Sequence, residues 1–348
     1  MKMTSKERAL AVFRGELPDR APVCDFNNTS MLSHYGYVLK DCRANPALVR
    51  DIMTRWAKDS WADLVFGPLE GKGVFFDIPE MEIRLPDDDM GTLKNVFFET
   101  VEDLETKILP NPLDRKETPK FHKYVVDILE AQWEGIPDTM SPAWSDGTLT
   151  VSGYLYGVEK LLMDILMAPD DAKKVIACCG AYSEKIVRAQ LERFDADYVV
   201  CTDPVASADM IDGEMFKEFN LDALHGNITG WKRDFGVDTM LHICGDTTPM
   251  LKDFVATGSR AVSLDHKVDL AEARKILGKD EVIVGNIDPV AVLMNGTIEE
   301  IYAASEKCFR DAGEDGNFIF AAGCAVPNGT PLENIHQFTE VSKDNAYR

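Results

Sequence analysis

Apolar and polar positions along the chain follow two alternating patterns. Short apolar runs bounded by turn-forming residues predict buried strands, and longer stretches with apolar positions at helical spacing predict helices. The strand-like runs lie at 22–26, 63–67, 138–143, 198–201, 237–243, 261–264, 281–284 and 317–320. Because these runs alternate with helices, they predict parallel βαβ units. We expect an α/β fold, a (β/α)8 TIM barrel, in a single domain that spans residues 1–348.

The helical stretches complete this alternation. Thr4 can cap a first helix, with Glu7 placed for a capping box and Gly15 as its stop. The segment 71–100 mixes glycine, aromatic and acidic residues, and it predicts a small hairpin excursion. Further helices are predicted at 46–61, 121–133, 149–167, 169–194, 213–235, 248–257, 270–277, 298–312 and from 331 onward. No Gly-x-Gly-x-x-Gly motif follows the first strand, which disfavours an open dinucleotide-binding sheet.

The charge of the chain limits the class of partner. Its 37 basic and 59 acidic residues give a formal net charge of −22, which argues against nucleic acid and anionic membranes as partners. No run reaches the roughly 18 apolar residues that a membrane span requires, and residues 1–14 lack the apolar core of a signal peptide. The eight cysteines are scattered rather than arranged as a disulfide framework, so we expect a cytoplasmic protein. The oligomeric state is left open.

One short segment carries the most distinctive chemistry. His242 and Cys244 lie two apart where a strand runs into Gly245, so both side chains are expected to face the same side. Cys324 follows the last strand-like run, and the three residues together make a Cys2His set for zinc with one open position. Taken alone, a His-x-Cys pair is more often a chance pair of half-buried residues. No Cys-x-x-Cys or His-Glu-x-x-His motif is present, so spacing alone leaves both interpretations open.

The predicted barrel favours the metal interpretation, because all its strands end at one mouth, the face formed by their carboxyl ends. Asp203, Asp265 and Asp288 each follow a strand and would share that mouth. They could orient the ligands, supply a resting fourth ligand or bind substrate, but acids at a barrel mouth also cap helices. For Asp288, which lies between Asn286 and Pro289, a role in a turn is at least as well supported.

Four tracts of the sequence match the pattern of a known family. They are Pro18-Asp19-Arg20-Ala21-Pro22-Val23, His242-Ile243-Cys244-Gly245, Gly285-Asn286-Ile287-Asp288-Pro289, and Gly323-Cys324 followed by Pro331-Leu332-Glu333-Asn334-Ile335. With them the chain resembles the uroporphyrinogen decarboxylase superfamily over nearly its whole length. Within that superfamily it resembles the zinc-dependent methylcobamide:thiol methyltransferases. The resemblance implies a uroporphyrinogen decarboxylase-like barrel, with His242, Cys244 and Cys324 as zinc ligands.

The resemblance also implies a reaction. A methyl group would move from a methyl-cobalt(III) corrinoid, carried by a separate corrinoid protein, to a small thiol such as coenzyme M or homocysteine. Zinc would bind the thiol and deprotonate it, because only the thiolate is a good nucleophile. Asp203, Asp265 and Asn286 are candidate contacts to the cofactor. The acceptor, which could even be a folate, and the identity of the corrinoid protein stay open.

Two other functions are compatible with such a barrel. Uroporphyrinogen decarboxylase binds a substrate with many carboxylates, and its branch carries an arginine-rich tract after the first strand. The equivalent segment here, 27–30, contains no arginine, and the next arginine is Arg43. The third possibility is a barrel that binds a corrinoid or tetrapyrrole without catalysis. The presence of all three candidate ligands, His242, Cys244 and Cys324, argues against that possibility.

Overall fold

Parallel strands surround the centre of the molecule. The computed structural model describes residues 2–26, 29–65, 75, 77–119, 127–128, 130–132, 134–136 and 138–347. Within these residues the barrel strands are β1 (Cys24–Asp25), β2 (Leu64–Val65), β3 (Pro142–Asp146), β4 (Tyr198–Thr202), β5 (Asp238–Ile243), β6 (Ala261–Leu264), β7 (Val282–Ile287) and β8 (Phe318–Ala322). Strands β3 to β8 pair in chain order as one continuous parallel sheet. The alternation of apolar runs with helices therefore predicted the fold class correctly.

Backbone bridges close this sheet into a barrel. β1 pairs in parallel with β2. Val23, directly before β1, bridges to Phe320 of β8, whose N–H donates to the carbonyl of Pro22 at 2.9 Å. Leu64 of β2 bridges to Met140, just before β3. The predicted (β/α)8 barrel is confirmed, since every barrel strand in the described part of the chain has a neighbour on both sides.

β3 is displaced from the segment that the sequence pattern predicted. The prediction placed this strand at 138–143, whereas the paired strand is Pro142–Asp146. Its last residues, Ser145 and Asp146, are polar, so the apolar pattern ended before them. Both are nevertheless buried, and Asp146 accepts a hydrogen bond from the hydroxyl of Thr202 at 2.7 Å. The hydroxyl of Ser145 lies 3.0 Å from that of Ser183 on the helix Pro169–Leu191, so hydrogen bonds satisfy both buried polar groups where an apolar pattern gives no signal.

Helices surround the strands, and most lie within a few residues of their predicted bounds. The described α-helices are Ser5–Phe13, Ser30–His34, Leu39–Ala44, Pro46–Asp59, Asp103–Thr106, Thr148–Ser152, Val158–Met167, Pro169–Leu191, Gly213–Phe216, Asp222–Phe235, Leu251–Ala256, Leu270–Leu277, Ile298–Ala312 and Leu332–Asp344. Two predicted helices, 149–167 and 213–235, contain the π-helical turns Gly153–Gly157 and Lys217–Leu221. Such a turn widens the helix locally, which a regular apolar pattern does not reveal.

Three further expectations concern the periphery. The hairpin excursion is confirmed, because Ile83–Arg84 pairs antiparallel with Thr92–Leu93. The helix predicted at 121–133 lies mostly outside the described residues. In the described part of the chain, no helix has both the length and the apolar character needed to cross a bilayer.

The interior of the barrel is a core of its own. Along β5, Met240 belongs to the inner cluster, while Leu241 and Ile243 pack outward against the helices. The helix Ser5–Phe13, with the predicted capping box at its start, covers the amino-terminal end of the barrel, where the Phe13 ring lies 5.4 Å from that of Tyr198. The carboxyl ends of the strands are therefore the face at which a ligand approaches the bore.

Candidate metal centre

His242 points into the barrel near the carboxyl end of β5. Residues two apart on a strand face the same side, and Met240 lies in the inner core, so the imidazole of His242 enters the bore. The residue is only 2% exposed. Its Nδ1 lies 3.0 Å from the hydroxyl oxygen of Ser263 on β6, and the ring of Phe26 packs with its centroid 4.8 Å away. Its Nε2 lies 3.2 Å from the sulfur of Cys244.

Two cysteines from different strand ends meet this imidazole. Cys244 is the first residue after β5, and Cys324 is the second residue after β8. Their sulfurs are 3.6 Å apart, and one ligand atom from each of the two cysteines and His242 lies within 4.8 Å of the others. Because β5 and β8 are not neighbours in the sheet, this contact is made across the bore. The structure thus brings together all three residues of the candidate ligand set.

The two thiols hold their protons unequally. The hydrogen bond from Cys244 lowers the pKa of Cys324, and the nearby His242 adds to this effect against the opposing effect of burial. The same hydrogen bond, together with burial, raises the pKa of Cys244. Cys324 is therefore the sulfur that is ready to act as a thiolate, the form in which cysteine binds a metal.

The spacing of the donor atoms fits tetrahedral zinc. With Zn–S bonds of about 2.3 Å, two sulfurs on one ion lie about 3.8 Å apart, close to the 3.6 Å between Cys244 and Cys324. With a Zn–N bond of about 2.0 Å, nitrogen and sulfur lie about 3.5 Å apart, close to the 3.2 Å between His242 Nε2 and Cys244. Imidazole and thiolate are donors that zinc prefers. The residues present fit zinc, and three protein ligands leave a fourth position for a substrate atom.

The turn that follows β5 is held by the loops after β4 and β6. Gly245 has a φ of +83°, and a Cβ there would lie 2.7 Å from a carboxylate oxygen of Asp209 and would collide with the hydroxyl of Ser207. The Gly245 N–H donates to the carboxylate of Asp265 at 3.0 Å. An ion pair of 2.9 Å between Lys267 and Asp209 joins the same two loops. Glycine fits here because the turn is left-handed and closely packed.

Asp265, one of the predicted cofactor contacts, lies between the two cysteine-bearing turns. Its carboxylate holds the N–H of Gly245, and it is only 6% exposed. The next residue, His266, packs against Gly323 so closely that a Cβ at Gly323 would collide with the His266 backbone nitrogen. The segment Asp265–His266 therefore contacts the residue beside each cysteine, Cys244 and Cys324. A direct contact of Asp265 with a cofactor stays a prediction.

The other two predicted cofactor contacts are bonded to protein groups. Asp203 is fully buried and accepts hydrogen bonds from the N–H and hydroxyl of Thr150 and from the amide of Asn220. Burial raises the pKa of Asp203, although these hydrogen bonds oppose the shift. The amide of Asn286 donates to the carbonyls of Asp265 and Val268. These contacts give both side chains a structural role, and a cofactor contact by either stays a prediction.

Sequence reasoning singled out neither Phe26 nor Ser263 as a group that touches His242. Phe26 and Ser263 lie in predicted strands, where a lone phenylalanine or serine belongs to no motif. The signal that could have found Ser263 is the pairing of β5 with β6, in which it lies directly opposite His242. That register is a property of the folded sheet.

Asp288 has the turn role that was considered for it, because its carboxylate accepts the N–H groups of Val290 and Ala291.

Comparison with known proteins places this site in context. A family model described as Uroporphyrinogen decarboxylase (URO-D) matches residues 4–344. The chain is 29% identical to methylcobamide:CoM methyltransferase MtbA of Methanosarcina mazei, over 99% of each chain. It is 26% identical to methylcobamide:CoM methyltransferase MtaA of Methanosarcina barkeri, over 96% of each. A solved methyltransferase from Methanosarcina mazei shares the fold, with a TM-score of 0.83 at 22% identity over 98% of this chain and 99% of that one. The chain therefore belongs to the uroporphyrinogen decarboxylase (URO-D) family.

Proposed function

We propose that the protein is a zinc-dependent corrinoid methyltransferase, which moves a methyl group from a methyl-cobalt(III) corrinoid to a small thiol. The observation that carries the proposal is the meeting of His242, Cys244 and Cys324 at the barrel mouth, with a spacing that fits zinc. The relatives from Methanosarcina mazei and Methanosarcina barkeri support it, since both are named methylcobamide:CoM methyltransferases. In this proposal residues 1–348 form one catalytic domain.

In the proposal, His242, Cys244 and Cys324 hold the metal and leave one position open to the acceptor. When bound, zinc holds the acceptor sulfur as a thiolate at neutral pH, where a free thiol is mostly protonated. The two cysteine thiolates offset the charge of the ion, so the acceptor sulfur keeps its nucleophilicity. Phe26 covers one side of the buried imidazole and limits access of water to it.

The acceptor sulfur attacks the methyl carbon in line with the carbon–cobalt bond. The sulfur–carbon bond forms as the carbon–cobalt bond breaks, and the bonding electron pair leaves with cobalt as cobalt(I). The proton of the acceptor thiol passes to solvent. The contribution of the chain is placement, because Cys244 and Cys324 lie within two residues of the ends of β5 and β8 and so hold the reacting sulfur on a rigid scaffold.

The methyl donor in this proposal is a separate corrinoid protein, which presents its cofactor to the barrel mouth. Coenzyme M is the acceptor named for the two relatives. Homocysteine and other small thiols satisfy the same chemistry, and a folate acceptor stays open. We place the reaction in the cytoplasm, because all eight cysteines are free of disulfides and suit a reducing compartment.

A decarboxylase function is supported by the description of the family and by further relatives that are named uroporphyrinogen decarboxylases. The charge of the mouth favours methyl transfer instead. Carboxylates lie at the carboxyl ends of four of the strands, where Asp146 is the last residue of β3 and Asp203, Asp265 and Asp288 each follow a strand. Lys267, in the loop after β6, is paired with Asp209. A substrate with many carboxylates needs fixed positive charge for recognition. A non-catalytic binding barrel, for its part, has no use for three converging zinc ligands.

Demethylation of methylcobalamin by the zinc-loaded protein tests the proposal across a panel of small thiols. The visible spectrum changes as the carbon–cobalt bond breaks, so the reaction can be followed directly. We expect transfer that requires both zinc and a thiol. Cys178→Ser is a matched control, because Cys178 lies on the helix Pro169–Leu191, outside the ligand set. Bound zinc without demethylation by any thiol or folate would overturn methyl transfer.

A further inference from the structure

Ser263 lies against the nitrogen of His242 that faces away from the cysteines. Its hydroxyl oxygen is 3.0 Å from Nδ1, whereas Nε2 is 3.2 Å from the sulfur of Cys244. Both Ser263 and His242 are buried. They are direct partners in the pairing of β5 with β6, so backbone register rather than a loop sets this contact. We infer that Ser263 is a positioning residue, which orients the His242 ring so that Nε2 faces the metal position.

The physical basis is the position of a single proton. A neutral imidazole carries one N–H, and a metal on Nε2 requires that proton to be on Nδ1. In so deeply buried a ring, an N–H without an acceptor is costly. The hydroxyl oxygen of Ser263 is an acceptor at the right atom, while the Phe26 ring packs on the imidazole and has no lone pair to offer. Ser263 therefore favours the tautomer and the ring orientation that aim the Nε2 lone pair toward the sulfurs.

The neutrality of this partner also matters. Many metal-binding histidines donate their second nitrogen to a carboxylate, which makes the imidazole more basic. Here the partner is an uncharged hydroxyl. Two thiolates, from Cys244 and Cys324, already balance the double positive charge of zinc, so the set is neutral before the acceptor arrives. Ser263 fixes the ring without adding negative charge that would oppose an incoming thiolate.

The inference rests on the proposed zinc site, and zinc affinity tests the two separately. Affinity is measured by competition with a chromophoric chelator at fixed pH, using the full chain. Ser263→Ala should weaken zinc binding about 10- to 100-fold, because the ring loses its orienting partner. Ser263→Thr keeps the hydroxyl and should restore most of the affinity. Ser305→Ala is the matched control, since the buried hydroxyl of Ser305 donates to the Ile301 carbonyl within one helix and touches no ligand.

Zinc binding by the wild type and by Ser263→Ala distinguishes a failure of the proposed function from a failure of the positioning role. Wild-type protein that binds no zinc would overturn the proposed function and this role with it. Tight zinc binding by both wild type and Ser263→Ala would overturn the positioning role alone. If the alanine variant fails to fold, NMR of the zinc-loaded wild type with ¹⁵N-labelled histidine still tests the inference. It shows which ring nitrogen of His242 carries the proton. A proton on Nδ1 of His242 that exchanges slowly with water supports the inference, and zinc on Nδ1 with the proton on Nε2 overturns it.

Discussion

The sulfur atoms of Cys244 and Cys324 lie 3.6 Å apart, although 80 residues separate them in the chain. Their strands, β5 and β8, have two other strands between them in the sheet. In a flat sheet of the same order, the two strands would be about 14 Å apart. Closure of the barrel is what turns two distant strand ends into one ligand set, so the candidate metal centre is a consequence of the fold.

Replacement of Cys324 by serine should remove most of the zinc and nearly all methyl transfer. A serine hydroxyl is a much poorer zinc ligand than a thiolate. We expect one zinc per wild-type chain, measured by elemental analysis of the purified protein. Cys178→Ser should keep its zinc, because Cys178 lies on the helix Pro169–Leu191 outside the ligand set. Full zinc occupancy in Cys324→Ser would contradict the ligand assignment.

Replacement of Gly323 by alanine should lower the affinity for zinc while the protein stays folded. The Cβ of Gly323→Ala would meet backbone atoms of Asp265 and His266, and backbone cannot rotate away as a flexible side chain can. Cys324, the next residue, has to shift. We expect zinc affinity to fall by at least about tenfold, as it does when ligand placement is disturbed. Chelator competition measures the change.

Gly226→Ala provides the control for this substitution. Gly226 lies in the helix Asp222–Phe235, and a Cβ there meets nothing within 4 Å. Helix propensity predicts a gain of about 0.8 kcal/mol in unfolding free energy, with zinc affinity unchanged. If Gly323→Ala bound zinc as well as Gly226→Ala, the close contact with His266 would not be what positions Cys324.

Sequence patterns predicted some features of this protein well and others poorly, for identifiable reasons. The helices Leu270–Leu277 and Ile298–Ala312 have their predicted bounds, because capping residues and apolar spacing agree at both. The candidate ligands could be proposed because residue type and position at strand ends are local properties. The partner of His242, Ser263, could not, because it depends on strand register. The close approach of Gly323 to the loop after β6 likewise exists only in the folded chain.

Loss of the Asp63 carboxylate should destabilise the barrel strongly. Asp63 is fully buried and pairs with Arg8 at 2.7 Å and with Arg20 at 2.9 Å, next to the amino-terminal helix. Asp63→Ala removes the carboxylate that the two arginines share and leaves Arg8 paired only with Asp19, which costs about 3–5 kcal/mol of unfolding free energy. Urea denaturation measures the loss. Asp51→Ala removes an exposed pair with Arg55 and should cost only about 0.5 kcal/mol, and an equal effect of both variants would contradict this account.

The purified protein should not decarboxylate uroporphyrinogen. Recognition of a substrate with many carboxylates needs fixed positive charge, whereas this chain has a net charge of −22 and carboxylates at the barrel mouth, such as Asp265 and Asp288. Incubation with uroporphyrinogen under anaerobic conditions, followed by chromatography of the oxidised porphyrins, should return the substrate unchanged. Steady turnover beyond a protein-free blank would show that the charge argument is wrong.

Binding of the acceptor thiol should release about one proton per chain near neutral pH. The free thiol arrives protonated, and a sulfur on the metal is not. Because the proton comes from the acceptor, the affinity for the thiol should rise about tenfold per pH unit below the pKa of the free thiol and level off above it. Calorimetry in two buffers that differ in ionisation enthalpy counts the protons.

Removal of zinc should abolish both this proton release and methyl transfer while the barrel stays folded. A chain of 348 residues buries enough surface to fold without a metal, so circular dichroism and the unfolding midpoint should change little. Restoring zinc should restore the rate, and the corrinoid should bind the zinc-free protein, because the contacts that we propose for it are with the barrel mouth rather than with the metal. Thiol binding without proton release, or full methyl transfer by a demonstrably zinc-free preparation, would rule out activation of the acceptor by zinc held between His242, Cys244 and Cys324.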